Sequence, residues 1–245
     1  MMRHKQHGQQ KMRGRMKFGW GWMKVAMVIT IIHLSSLFAH PAFAETTPTI
    51  FIPQQQLATH QRTIDRVSHY LSGLSTIVAD FTQVAPDGSL TSGKFYLSRP
   101  GRMRWQYNPP TPILMIANGK EFVYYDYELQ QVSYIPLDSA LVGFLAQETI
   151  RFDGKVGITL FEEQDGVIRI GLAQRDKPSE GALMLEFSDK PLLIRNLKVT
   201  DATGQQTSVA LSDAKFGVAL DKELFVFRDP RQNPRAPKNR TLMNQ

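Results

Sequence analysis

The 245-residue chain contains no cysteine. That excludes a disulfide framework, a thiolate metal site, a Cys nucleophile and acylation at an N-terminal Cys. Histidine is scarce as well, and beyond residue 44 only His60 and His69 remain. They sit nine residues apart on one predicted helix, about two and a half turns, which points them to opposite sides and defeats a paired metal-ligand reading. The chain has no Gly-x-Ser-x-Gly elbow, no phosphate-cradling glycine loop and no dinucleotide fingerprint. Its carboxylates are scattered. Glu162 and Glu163 are adjacent, so on a strand they face opposite ways, and Asp126, Glu128 and Asp153 adjoin predicted turns. No catalytic residue, metal or cofactor is expected, and a binding protein is favoured over an enzyme.

A continuous apolar run of membrane length is also missing. The longest stretch, Val25 to Ala39, is interrupted by His33, Ser35 and Ser36 and falls short of the roughly 20 residues a spanning helix needs. What precedes it is strongly basic. The chain carries 29 Lys and Arg against 22 Asp and Glu, a formal net charge of +7. Seven of those cations (Arg3, Lys5, Lys11, Arg13, Arg15, Lys17 and Lys24) lie before Ala44 with no acid among them, which leaves 22 of each sign from Glu45 onward. A basic stretch, an apolar core and the small-x-small sequence Ala42-Phe43-Ala44 form the three-part pattern of a cleavable signal peptide over 1–44. Met12, Met16 and Met23 are alternative starts, and an uncleaved anchor is the less favoured alternative. Export without cysteines suits a bacterial periplasm. The neutral remainder speaks against nucleic-acid binding, and a monomer is expected.

The domain proper is predicted over 45–228. Glu45 to Pro53 reads as a loose arm. Pro53 suits a helix start, and Leu57, Ile64, Val67, Leu71 and Leu74 recur at roughly helical spacing. After Ser75 the period becomes two, as in Met103, Trp105 and Tyr107 set against Arg102, Arg104 and Gln106. Turn signals at Pro86-Asp87-Gly88, Pro100-Gly101, Asn118-Gly119 and Asp165-Gly166 punctuate about a dozen antiparallel strands, the last of them at Leu224 to Phe227. A short second helix is placed between Leu137 and Thr149, and a disordered basic tail over 229–245. The result is a mainly β protein with two or three helices whose strands form one large curved sheet, a sandwich or a barrel.

Large apolar side chains are dense on the strand positions. Phe81, Phe95, Leu97, Met103, Trp105, Tyr107, Met115, Phe122 and Tyr124 all fall between residues 81 and 124. Some strands are apolar on both faces, with Tyr96 beside Phe95, and Val123 and Tyr125 beside Phe122 and Tyr124. Such a sheet must be covered twice or enclose something.

Phe81-Thr82-Gln83, Gly93-x-Phe95-x-Leu97-x-Arg99-Pro100, Trp105, Pro109-Pro110, Asn118-Gly119-Lys120, the run Phe122 to Tyr125 and Gln130-Gln131-Val132 occur in order. This stretch resembles the periplasmic outer-membrane lipoprotein carrier (LolA-like) family, and Phe225-Val226-Phe227 is similar to that family's closing strand. Met103 departs from the pattern, standing where the family usually carries Phe.

The resemblance implies a single curved antiparallel sheet forming an incomplete (open) β-barrel, with a helical lid over an apolar cavity that receives acyl chains. The family's lid-holding arginine falls on Arg99. The cavity residues would be the nine just named together with Leu141, Phe144 and Leu145 of the inserted helix. The implied partners are acylated outer-membrane lipoproteins, an inner-membrane lipoprotein-releasing transporter and an outer-membrane acceptor. A relative of the same fold that carries another lipid, or that senses mislocalised lipoproteins, is the alternative. If the signal reading holds, the intact mass of protein recovered from the periplasm corresponds to a chain beginning at Glu45; a mass that retains 1–44 rejects it.

Overall fold

A computed structural model of the chain describes residues 51–137 and 141–232. The expected signal segment and the tail beyond Gln232 lie outside the described residues. Directly after Pro53, α1 (Gln54–Leu57), a 3-10 turn (Ala58–His60) and α2 (Gln61–Gly73) follow one another, where the periodicity predicts one helix over Gln54 to Leu74. Leu57, Ile64, Val67 and Leu71 are buried, the narrow apolar stripe of a helix laid on a sheet.

Eleven strands follow among the described residues: β1 (Thr76–Val84), β2 (Leu90–Ser98), β3 (Arg102–Tyr107), β4 (Ile113–Asn118), β5 (Glu121–Asp126), β6 (Gln131–Pro136), β7 (Val156–Gln164), β8 (Val167–Gln174), β9 (Gly181–Ser188), β10 (Leu193–Asp201) and β11 (Gln206–Phe216). They form one antiparallel sheet in the order β6-β5-β4-β3-β2-β1-β11-β10-β9-β8-β7. Two meanders, β1 to β6 and β7 to β11, are thus joined where β1 pairs with β11, for example Phe81 with Leu211. The outer strands β6 and β7 are consecutive in the chain and do not pair, so the sheet is open. The hairpin signals act as their chemistry requires. Asp165 and Gly166 both take positive φ (53° and 77°) between the paired residues Gln164 and Val167, the conformation of a tight type I′ turn.

Alternation puts one apolar set on one face, in rows across the strands. Ile77, Leu97, Met103, Ala117 and Phe122 are successive register partners, as are Ala79, Phe95, Trp105, Met115 and Tyr124. In a third row Phe81 pairs with Gly93, which pairs with Tyr107. The Phe81 ring lies edge-on to Trp105 at 5.2 Å and to Tyr107 at 5.0 Å, and it reaches them by passing over Gly93. A Cβ at position 93 would stand 2.1 Å from the Gln106 carbonyl and under 3 Å from the Phe81 ring.

The opposite face answers the puzzle of strands apolar on both sides, because it is covered too. Leu114, Ile116 and Tyr125 form a second buried cluster, with Tyr127, Val132 and Phe227 packed on it. The C-terminal segment supplies this cover, but not as the strand predicted at Leu224 to Phe227. It forms a 3-10 turn, Lys222–Phe225, in which the Asp221 carboxylate accepts from the Glu223 N–H. Both neighbours of β11 are already filled by β1 and β10, so Phe225 is buried and Phe227 half-buried by packing rather than by a ladder. Beyond it, Arg231 pairs with Asp229 and reaches the Gln130 carbonyl of the β5–β6 turn.

Two further expectations differ from what is found. The second helix expected from Leu137 to Thr149 is a 3-10 segment, Leu141–Ala146. A Cβ at Gly143 would lie 2.2 Å from the Leu137 carbonyl, so the chain doubles back on itself where a regular helix would run straight. The arm before Pro53 is docked at its end. The Ile52 N–H donates to the Ile158 carbonyl of edge strand β7 at 2.9 Å, and Phe51 lies against Gly157 beneath the Arg175 guanidinium.

Gly93→Ala is expected to destabilise the fold by about 1–3 kcal/mol, the usual range for forcing extra volume into a packed core. A urea denaturation midpoint unchanged from the parent protein would contradict the close approach of Phe81 to this backbone.

Candidate binding site under the helical cover

The apolar face of the sheet is covered by two pieces of chain: α2 and the segment from Leu141 to Phe152. Ile64, Val67 and Leu71 come from the first; Phe144, Leu145, Ala146, Ile150 and Phe152 come from the second. All belong to one buried cluster with the sheet residues beneath them. The Phe144 and Phe152 rings lie 5.8 Å apart. In this state the interior is filled by the protein's own side chains.

Of the residues predicted to line a cavity, Phe81, Phe95, Leu97, Met103, Trp105, Tyr107 and Phe122 are buried in that cluster together with Phe144 and Leu145. Met115 and Leu141 pack against it half-buried. Tyr124 shares the row of Met115 and Trp105 but is only half-buried. Burial holds both its phenol and that of Tyr107 above the usual range, and the Tyr107 hydroxyl donates to Gln83 Oε1 at 2.7 Å. The prediction drew on the aromatic-rich first half and passed over the second. There Ile168, Ile170, Leu172, Leu183, Leu185 and Phe187 bury themselves in the same cluster, although their alternation is as regular.

Arg99 follows the last residue of β2 and turns its guanidinium inward. Its Nε and Nη2 donate to the Leu145 carbonyl at 2.9 and 2.8 Å, and its Nη1 donates to the Leu74 carbonyl at 3.2 Å. One side chain therefore holds both pieces of the cover, because Leu74 is the C-terminal cap of α2 and Leu145 sits in the 3-10 segment. Burial pulls the guanidinium down to about 10, which still leaves it charged at neutral pH. Among the described residues it makes no ion pair, so carbonyl dipoles take the place of the hydration that this half-buried group has lost. The arrangement is a costly one for a full charge. Arg104 is its counterpart on the opposite face, where Nη1 donates to the Leu224 carbonyl at 3.0 Å and burial likewise lowers its pKa.

The two pieces of the cover are also tied to each other. Ser68 Oγ donates to the Ile150 carbonyl at 2.5 Å, and Ser72 Oγ accepts from the Ile150 N–H at 3.0 Å. Neither serine carries a sequence signal beyond its place on the polar side of α2. His60 stacks on Phe161 at 4.5 Å while His69 faces solvent. Among the described residues no group of three His, Asp or Glu side chains is placed to hold a metal, and no helix is long and apolar enough to cross a membrane.

The chain thus combines an open antiparallel sheet with a cover that apolar packing and a few polar bonds hold over its apolar face. The chain belongs to the family described as outer membrane lipoprotein carrier protein LolA, which matches residues 72–228. It is similar to an outer-membrane lipoprotein carrier protein of Azotobacter vinelandii, at 31% identity over 180 residues that cover 69% of this chain and 86% of that one. A protein of the same description from Legionella pneumophila is 28% identical over 207 residues, 80% of this chain and 92% of that one. A LolA superfamily protein from Nitrosomonas europaea, known by its crystal structure, matches at a TM-score of 0.37 and 12% identity, over 66% of this chain and 97% of that one.

Arg99→Leu removes three hydrogen bonds from the cover while keeping apolar bulk at the site. Backbone amides of residues 144–150 are expected to exchange with solvent at least about tenfold faster, the equivalent of roughly 1.4 kcal/mol of local stability, with those of β8 and β9 unchanged. Equal exchange in both proteins would show that Arg99 does not hold the cover.

Proposed function

We propose that this protein is a soluble periplasmic carrier that takes the acyl chains of lipoproteins under its cover and moves them from the inner membrane to the outer membrane. The observation that carries the reading is a cover of two chain segments laid over one apolar sheet face. An apolar interior of sheet, helix and inserted segment is closed at the β2 end by a half-buried guanidinium whose hydrogen-bond partners among the described residues are carbonyls.

The energetics favour shielding over catalysis. Each methylene moved into water costs about 0.8 kcal/mol, so an anchor of three acyl chains faces tens of kcal/mol in crossing water bare. Displacing the cover lets acyl carbon replace the contacts that α2 and Phe144, Leu145 and Phe152 make with the sheet. Because the empty state already satisfies its interior and the Arg99 hydrogen bonds, loading gains only the difference between two apolar packings. Net affinity is kept moderate in this way, and release to an acceptor stays possible. Arg99 then acts as the lid-holding residue, and the row residues from Phe81 to Tyr124 as chain-contacting surface. An inner-membrane transporter would load the carrier and an outer-membrane acceptor would unload it.

The test is co-expression with an exported lipoprotein. The protein is expected to co-purify with the acylated form and not with a variant whose acylated cysteine is replaced by serine. Native mass spectrometry of the complex gives the mass of the bound anchor. Failure to retain any acylated species rejects the carrier reading, and a bound lipid of another mass with no lipoprotein replaces the cargo.

A further inference from the structure

The inward face of β1 to β5 does not stay apolar to its end. Along β1 the inward residues are Ile77, Ala79 and Phe81, all buried, and then Gln83. Along β2, read from the Arg99 end, they are Leu97, Phe95, Gly93 and then Thr91, the register partner of Gln83. Three apolar rows thus separate a polar one from Arg99. Six residues of strand, at a rise of about 3.3 Å each, put the polar row roughly 20 Å from the first apolar row. An extended alkyl chain with bonds of about 1.5 Å advances about 1.25 Å per carbon, so that depth holds about 16 carbons.

The side chains at this end are mostly neutral hydrogen-bonding groups at the border with water. Gln83, Thr91 and Tyr124 are half-buried. Tyr107 Oη donates to Gln83 Oε1 at 2.7 Å, which leaves the Gln83 amide N–H groups to donate elsewhere. Tyr124 stands one row back on β5, and its phenol acts electrostatically on that of Tyr107. Thr91 stands out among them. Its Oγ1 is buried and has no hydrogen-bond partner among the described residues, a costly state for a hydroxyl. No lysine or arginine occupies an inward position of β1 to β5. The one charged group there is Asp126, buried at the end of β5, whose Oδ1 accepts from the Glu128 and Leu129 N–H groups of its own turn.

With the carrier reading as its basis, we infer that this polar end binds the ester carbonyls of a neutral diacylglyceryl group, whose acyl chains lie along the apolar rows toward Arg99. The donors fit the acceptor. Ester carbonyls accept hydrogen bonds and offer none, and the Thr91 hydroxyl, the Tyr124 phenol and the Gln83 amide all donate. Burial holds the Tyr124 phenol above the usual range, so it keeps its proton at neutral pH. Esters placed deeper, among the apolar rows, would lose the hydrogen bonds they make in water; at the polar row they exchange water for protein donors. An anionic headgroup fits poorly. It would meet no cation on this face, and the Asp126 carboxylate would stand close to it. The site therefore separates a diacylglyceryl anchor from a phosphate-bearing lipid with the same chains.

Binding is measured with a fluorescent peptide whose N-terminal cysteine carries a dipalmitoylglyceryl group, and with its dialkyl ether analogue, which keeps the chains and lacks the carbonyls. The parent protein is expected to bind the ester peptide at least about tenfold tighter, a difference of roughly 1.4 kcal/mol. Thr91→Val with Tyr124→Phe keeps the shape of both side chains. It is expected to bring the ester peptide down to the affinity of the ether peptide and to leave ether binding unchanged. Dipalmitoylglycerol is expected to displace the ester peptide from the parent at a concentration at least about tenfold lower than the phosphatidate with the same chains needs, again roughly 1.4 kcal/mol. Equal binding of the two peptides by the parent overturns the polar site, as does an ester preference that survives in the double variant, or equal competition by the two lipids. Thr91→Val alone is expected to unfold at or above the parental urea midpoint, because it replaces an unpaired hydroxyl with a methyl. A lower midpoint means that the hydroxyl already has a partner in the unloaded protein, and overturns the site as well. If the parent binds neither peptide, the carrier reading itself falls, and the polar site with it.

Discussion

The pairing of β1 with β11 determines where everything else must go. It fuses two meanders into one sheet and turns the residues that begin and end the domain into its middle. The sheet edges are consequently β6 and β7, which follow one another in the chain. The connection between them has to run across the open mouth, and it does so as the Leu141 to Phe152 segment. The helix that precedes β1 is likewise delivered to the apolar side of the sheet's centre. Both pieces of the cover are thus consequences of strand order, and both are short enough to be held by a handful of polar bonds.

Those bonds differ in kind. Serine to backbone and tyrosine to backbone contacts join neutral groups and lose little on exposure to water. The Arg99 fork sets a full charge against two carbonyls in a half-buried place, where desolvation opposes what the hydrogen bonds gain. A contact of that sort keeps its geometry when dry but is nearly matched by water when wet. The contact of this charged kind lies at the end of β2, where one side chain reaches both pieces of the cover.

Much of this was legible in residues, and the reasons for the misses are specific. Alternation and turn dipeptides marked the eleven strands because a half-buried strand shows its period directly in side-chain polarity, and Asp165-Gly166 could hardly be anything but a tight hairpin. The segment at Phe225 to Phe227 has strand-like composition and is not one. Composition reports that aromatic residues want burial, not whether a neighbouring edge is free. The inserted helix failed for a related reason, since Leu141, Phe144 and Leu145 do face one way but Gly143 lets the chain fold back too tightly for α geometry. Arg99 is marked out by family resemblance. Its partners, the carbonyls of Leu74 and Leu145, are main-chain groups with no signature in sequence. The serines that bind Ile150 look like any polar helix residues until the segment packs beside them.

An open sheet has two exposed borders, and exposed borders recruit other strands, which in a crowded compartment means aggregation. β7 is blunted by its own chain, with Ile52 taking the Ile158 carbonyl and Phe51 lying flat on Gly157. It is further distorted by a register shift between Ile158 and Leu160. β6 ends in Pro136, which has no N–H to offer a newcomer. The few residues before Pro53 thus act as a built-in chain terminator for the sheet. They let the sheet stay unclosed without becoming a template for polymer growth.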